Sequence, residues 1–227
     1  MSATQLPLTL IVAATVKNGI GKDGALPWPM LKKEMAYFAR VTKRVPMPTN
    51  TGSLQSDSFK KTTLEGTRRN VVIMGRKTWD SIPPKFRPLK DRTSVVISSQ
   101  AREKLESVPD DVVVAGDITS GLRELDGFVR DGKAPPVGRA FVIGGSSIYQ
   151  AALEMEQTKR VLLTRIHEDY DCDTFFPVEM DGDGSEWERK SLHTLRDFAE
   201  EEVPEGLVAE KSGESEVRFE YQLYERS

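Results

Sequence analysis

Residues 140–155 read AFVIGGSSIYQAALEM, and their order decides the fold. Four apolar residues suit a short buried strand, two glycines interrupt it, and SSIYQAALEM continues with helical spacing. Adjacent glycines let a backbone approach a ligand closely, and the free amides that open a helix favour an anion. Two readings stand side by side at Gly144-Gly145-Ser146-Ser147: an anion-binding junction, or a tight strand-to-helix turn capped by serine. The same order recurs at NVVIMGRKTW, residues 70–79, where Arg76 and Lys77 add two cations. That stretch lacks the upstream glycine of a P-loop, which argues against nucleotide hydrolysis. Two such junctions on one sheet edge would frame a cleft for an extended phosphorylated ligand, because open parallel sheets take ligands at strand C-terminal ends.

Working outward, further apolar runs read as strands: LTLIVAATV (8–16), TSVVIS (93–98), DVVVA (111–115) and RVLLTRI (160–166). Near-continuous runs of this kind are buried on both faces, as in a mostly parallel sheet. Helical segments are expected between them at 30–42, 76–82, 101–107, 120–130 and 147–155. Strand and helix alternate, which predicts an α/β fold built from crossover units. VRFEYQLYE (217–225) alternates apolar and polar residues and predicts a half-exposed antiparallel edge strand. Stretches 43–69, 131–138 and 199–215 are rich in Pro, Gly, Ser or charge and read as surface insertions in one domain spanning 1–227.

The chain has 227 residues, with 32 Lys and Arg against 35 Asp and Glu and a net charge of −3. That length suits one sizeable core, and that charge disfavours nucleic acid or an anionic membrane as partner. Cys172 is the sole cysteine, which fits a reducing compartment. The apolar stretch before Val16 is too short to span a bilayer and has no basic flank, so a cytoplasmic protein is expected.

GIGKDG (19–24) fits GxGxxG, but Leu26-Pro27-Trp28-Pro29 follows where that motif needs a helix. The segment reads instead as a flexible loop, either a plain surface turn or a mobile lid over a site. In the next helix, Leu31, Glu34, Met35 and Phe38 share one face. An acid on such a stripe is either a boundary residue reaching water or a desolvated group held for a ligand.

With these residues in hand, the chain resembles the dihydrofolate reductase family, in particular its eukaryotic, fungal branch. The motifs run in family order: Ile11-Val12-Ala13, Gly19-Ile20-Gly21, Leu26-Pro27-Trp28, Glu34 with Tyr37-Phe38, and Val72 through Trp79. Next come Ser81-Ile82-Pro83, Arg87-Pro88-Leu89 with Arg92, Ile143 through Tyr149, Thr164-Arg165-Ile166 and Asp173 through Pro177. The resemblance covers nearly the whole chain outside the insertions. It implies an eight-stranded mixed sheet flanked by about four helices.

By that resemblance the activity is hydride transfer from NADPH to 7,8-dihydrofolate, giving tetrahydrofolate for one-carbon and thymidylate metabolism. The acid at the pterin's pyrimidine edge is Glu34, with Thr164 behind it through a shared water and Trp28 closing the site. The carbonyls of Ile11 and Ile143 stand at the same edge, where diaminopyrimidine antifolates would bind. Val12, Met35, Phe38, Ile82, Phe86, Leu89 and Tyr149 are implied around the substrate, and Arg92 clamps the carboxylate of its glutamate tail. For NADPH, Ala13, Ile20 and Gly24 correspond to the nicotinamide end. Gly144, Gly145, Ser146, Ser147, Ile148 and Tyr149 correspond to the ribose and pyrophosphate. Gly75, Arg76, Lys77 and Thr78 sit at the second phosphate junction, and Arg76 with Ser98 and Ser99 at the 2′-phosphate. No metal is implied. The sequence has no apolar stripe suggesting an assembly surface, so a monomer is expected.

Three departures stand out. Ser99 occupies a position where animal relatives carry Arg, Phe86 one where relatives often carry a polar residue, and Met35 one where many carry Phe. Two rivals have different chemistry: a pyrimidine reductase of riboflavin synthesis, which would lack the Trp28, Glu34 and Arg92 set, and a non-catalytic folate-binding module, which would have lost the acid or a glycine junction.

Overall fold

Side chains alternate across each strand, so a run that is apolar throughout must be covered on both faces. In β1 (Leu8–Thr15), Leu8, Leu10, Val12 and Ala14 enter one buried cluster and Ile11 enters another. The same division holds in β3 (Arg69–Gly75), with Val71 and Ile73 on one side and Val72 and Met74 on the other. The structure, a computed structural model, describes residues 2–46, 67–105, 108–182, 184–213 and 215–226.

The remaining strands are β2 (Gly19–Gly21), β4 (Arg92–Ile97), β5 (Val113–Ala115), β6 (Val137–Val142), β7 (Thr158–Ile166), β8 (Thr174–Phe175), β9 (Trp187–Arg189), β10 (Val208–Ser212) and β11 (Ser215–Arg226). The helices are α1 (Lys32–Lys43), α2 (Arg76–Ser81), α3 (Ile118–Arg130), α4 (Ser146–Leu153) and α5 (Leu192–Ala199). Eight strands lie in the spatial order β10-β11-β7-β1-β6-β3-β4-β5, with β9 added on β11. Pairs from β7 through β5 are parallel, whereas β11 runs antiparallel to β7, β9 and β10. The α/β sheet with an antiparallel C-terminal strand is thus as expected, but β11 is not the half-exposed edge expected of 217–225, because β10 and β9 pair along the side away from β7 and residues 221–224 are buried.

The connections explain where a ligand would enter. From β1 the chain passes through α1 to β3, and from β6 through α4 to β7, so the two crossovers leave neighbouring strands in opposite directions. They also lie on opposite faces: α1 buries Tyr37 and Val41 in one cluster, α4 buries Tyr149, Ala152 and Leu153 in the other. Such a switch point opens a crevice beyond the strand C-terminal ends.

Some local expectations need correction. The helix expected at 101–107 is only a single turn of 3-10 helix, Arg102–Lys104, with residues 106–107 outside the described set. AREKLES offers one large apolar residue, too little to hold a helix on the core. Within 199–215, expected as a surface insertion, residues Val208–Ser212 form β10 and pair with β11, and Val203 is buried. The stretch 131–138 is turn up to Val137, where β6 begins. Of 43–69, positions 47–66 lie outside the described residues.

Asn70 holds the far end of α1. Its amide donates to the carbonyls of Thr42 (3.0 Å) and Arg44 (2.8 Å), and its oxygen accepts from the Arg139 amide (2.8 Å). The residue is fully buried, so Asn70→Ala leaves three groups without partners. We expect that variant to lose roughly 2–4 kcal/mol of stability in urea melts; a loss below about 0.5 kcal/mol would remove this anchor.

Candidate active site

Glu34 sits in the first turn of α1, 8% exposed. The Thr164 hydroxyl on β7 donates to its Oε1 at 3.5 Å, at the limit of a direct hydrogen bond, where a bridging water was expected. Burial pushes the carboxyl up to about 7, the charge of Glu210 adds to the rise, and Thr164 opposes it. Raised above its ordinary 4.5, the group contributes stability that is complete below about pH 4.5 and is lost as pH climbs through 7. A Glu34→Gln variant escapes that loss. Its stability advantage over the wild type should therefore grow by about 3 kcal/mol between pH 4 and pH 9, read from parallel denaturant melts; a constant difference would contradict the raised pKa.

The stripe around Glu34 is rotated from the expected one. Glu34, Tyr37 and Val41 are the buried line of α1, spaced at three and seven residues, while Met35 is 46% exposed. Phe38, Ile82, Leu89, Ile143 and Ala13 are half-buried against the cluster that holds Ile11, Trp28 and Leu31. Phe86, also expected as a wall, is 56% exposed. Trp28 is buried and meets Tyr170 edge-on at 6.0 Å.

Arg92 opens β4 and is 8% exposed. Its Nη1 donates to Thr42 Oγ1 (2.8 Å), its Nε to the Lys90 carbonyl (3.2 Å), and the guanidinium lies 5.8 Å from the Phe38 ring centre. Among the described residues no carboxylate forms an ion pair with it. Burial lowers its pKa, opposed by the neighbouring Asp91. A buried guanidinium held by neutral groups keeps donors suited to an anion.

The two glycine junctions meet each other. The Gly75 amide donates to the Gly144 carbonyl at 2.7 Å, and the Gly144–Gly145 peptide is cis. Gly144 has φ +117, a conformation that side-chain-bearing residues avoid. A Cβ on Gly75 would strike Ile148 Cγ1 at 2.9 Å. Gly75 and Gly145 are the N-caps of α2 and α4, and neither helix has a side-chain cap, which leaves opening amides available to an anion. The serine-capped reading of this turn therefore fails: Ser146 instead donates to the Phe175 carbonyl at 2.6 Å.

Arg76 is bound to Asp80 at 3.3 Å on an exposed face, a pair weak enough to exchange for a phosphate. Lys77, Ser99 and Ser147 are exposed, while Thr78 and Ser98 are half-buried, and the Ser98 hydroxyl accepts from the Gln100 amide. Ile20 lies on β2, which pairs with β8, so this part of GIGKDG is strand and not free loop. Exposed Gly24 has φ +78 in the turn that follows.

Known proteins match this architecture over its full length. A model of the dihydrofolate reductase family covers residues 53–204. The dihydrofolate reductase of Heliothis virescens is 35% identical over 98% of this chain and 99% of its own length. The chain belongs to the dihydrofolate reductase family. The Pneumocystis carinii member is 36% identical over 98% of both chains. The Schizosaccharomyces pombe member is 41% identical over 96% of this chain, which spans only 46% of that longer protein. The solved structure of Schistosoma mansoni dihydrofolate reductase aligns with a TM-score of 0.69 at 30% identity, covering 98% of this chain and 99% of that one.

Several contacts that support these residues carry no motif signal. The Tyr149 hydroxyl donates to the Ile11 carbonyl at 2.8 Å, which ties α4 to the end of β1. Thr42 holds Arg92, and Glu210 caps α1. A cavity of about 400 Å³ opens on the other side of α1, lined by Lys32, Tyr37, Arg40, Glu201 and Tyr221 among others, with none of the expected site residues. Among the described residues there is no His, Cys, Asp or Glu cluster suited to a metal, and no helix long and apolar enough to cross a membrane.

Proposed function

We propose that this chain reduces 7,8-dihydrofolate to tetrahydrofolate with NADPH, working as a cytoplasmic monomer that supplies one-carbon and thymidylate metabolism. The observation that carries the reading is a buried acid, Glu34, in the first turn of α1, together with a buried cation at the start of β4, Arg92, which has no ion-pair partner among the described residues and is bound to Thr42 in the last turn of the same helix. Glu34 accepts from the adjacent N–H and amino donors of the pterin, which orients the ring, and Arg92 takes the carboxylate of the glutamate tail. Phe38, Ile82 and Leu89 wall the ring and the aminobenzoyl group, and the more exposed Met35 and Phe86 close on the substrate as it binds, whereas the Val12 side chain points into the cluster on the other face of the sheet.

The glycine junctions fit a dinucleotide: a side chain at Gly75 would strike Ile148, Gly144 holds a positive φ, and the two helices that follow start without side-chain caps. Gly144 to Ser147 with Ile148 and Tyr149 would hold the ribose and pyrophosphate, Gly75 to Thr78 the remaining phosphates, and Arg76 with Ser98 and Ser99 the 2′-phosphate. Ala13, Ile20 and Gly24 would line the nicotinamide end. When bound, NADPH supplies the hydride for pterin C6. Trp28 and residues 17–28 exclude bulk water, so that positioning supplies much of the rate. Glu34 lies at the wrong edge to reach N5, so a water delivers the proton there while the acid holds the reactive tautomer. Antifolates with a diaminopyrimidine ring compete at Glu34 and at the carbonyls of Ile11 and Ile143.

Adding dihydrofolate to the purified chain and NADPH should cause loss of the NADPH absorbance in proportion to enzyme. No loss with dihydrofolate, or equal loss with a riboflavin-pathway pyrimidine, would overturn the reading.

A further inference from the structure

Helix α1 carries the acid of the site but starts without a cap of its own. Its N-cap residue is Leu31, which offers no acceptor. The amides of Lys32 and Lys33 donate instead to the two carboxylate oxygens of Glu210, at 2.6 and 2.9 Å. Glu210 belongs to edge strand β10, near the other end of the chain, and is only 8% exposed. A second tie runs beside it, from Lys33 Nζ to the Ala209 carbonyl at 3.0 Å. No cation forms an ion pair with Glu210 among the described residues, so two backbone amides and the positive end of the helix hold this buried carboxylate. Glu34 follows those amides directly, in the same turn. Meanwhile β10 pairs with β11, and β11 pairs with β7 so that Tyr221 stands opposite Thr164. The acid and its hydroxyl partner are thus referenced to one three-strand unit.

We propose that Glu210 is a positioning residue for Glu34: it seats the first turn of α1 on the β10–β11–β7 unit and fixes where the acid meets the substrate. The proposal rests on the catalytic reading above only for its kinetic consequence. The groups that face Glu34 from other elements are Thr164 on β7, Glu210 on β10, and the phenols of Tyr149 on α4 and Tyr221 on β11; among them it is the charge of Glu210 that adds to the rise in the Glu34 pKa. Removing its charge therefore lets Glu34 ionise more easily.

The test uses the full chain with Glu210→Gln, which keeps size but loses the charge and one acceptor, and Glu210→Asp, which keeps the charge. Carboxyl carbon NMR on the free protein should show the Glu34 titration midpoint lower in the Gln variant and near the wild-type value in the Asp variant. With dihydrofolate, kcat should fall roughly tenfold to a hundredfold in the Gln variant, as expected for a displaced acid, with KM for NADPH unchanged. A lower melting temperature with unaltered midpoint and kcat would reduce Glu210 to an ordinary helix cap and overturn the proposal. Wild-type inactivity would count against the catalytic reading alone, because the titration needs no turnover. Should neither variant fold, hydrogen exchange in the wild type decides: protected Lys32 and Lys33 amides support the tie, and freely exchanging ones refute it.

Discussion

Glu34→Gln is expected to lower kcat for dihydrofolate by a factor on the order of 10² or more while leaving the fold and NADPH affinity in place. Glutamine keeps the length and one acceptor oxygen, so the ring is still located, but it cannot accept from two adjacent donors or change protonation. The substituted group is buried beside Thr164, where a neutral amide is easier to accommodate than a carboxylate. The variant should therefore be the more stable protein and the poorer enzyme at pH 8. Stopped-flow and steady-state rates with NADPH and dihydrofolate check this. Near-normal turnover would remove Glu34 from the chemistry.

Arg92→Leu is expected to act on affinity. A desolvated guanidinium that meets a carboxylate contributes roughly 2–5 kcal/mol by truncation, equivalent to a Kd for dihydrofolate raised about 30-fold to several thousand-fold. In the unliganded protein the same charge is buried against Thr42 and the Lys90 carbonyl with no ion-pair partner among the described residues, which is costly, so its removal should not destabilise the fold. The signature is thus weaker substrate binding at unchanged or higher melting temperature. Fluorescence titration with dihydrofolate that shows wild-type affinity would place the tail elsewhere.

What could be read from the chain alone followed the range of the forces involved. The strands that form the sheet centre were legible because burial on both faces demands continuous apolar runs, as in Val71 to Met74. The two junctions were legible because only glycine tolerates the backbone at Gly144 and the closeness of Ile148 to Gly75. Helix α5 was overlooked although Ser191 caps it and Leu192, Leu195 and Ala199 keep helical spacing; the signal was present but short. Strand β10 was hidden for a different reason. Its inward residue Glu210 is charged, so the apolar alternation that marks a strand is missing where the carboxylate serves α1. Asn70, Thr42 and Tyr149 support the site through contacts between distant segments, and no local pattern announces such partners. The burial of Tyr37 in place of Met35 belongs to the same class, since the sheet decides which side of α1 faces inward.

A crystal structure of the chain with NADP⁺ and folate would show where the pterin ring and the glutamate tail lie. The pyrimidine edge should lie on the Glu34 carboxyl and the tail carboxylate on Arg92, with the nicotinamide against the opposite side of the pterin. A folate found with its ring away from Glu34, or with that carboxyl turned out to bulk water, would contradict the account.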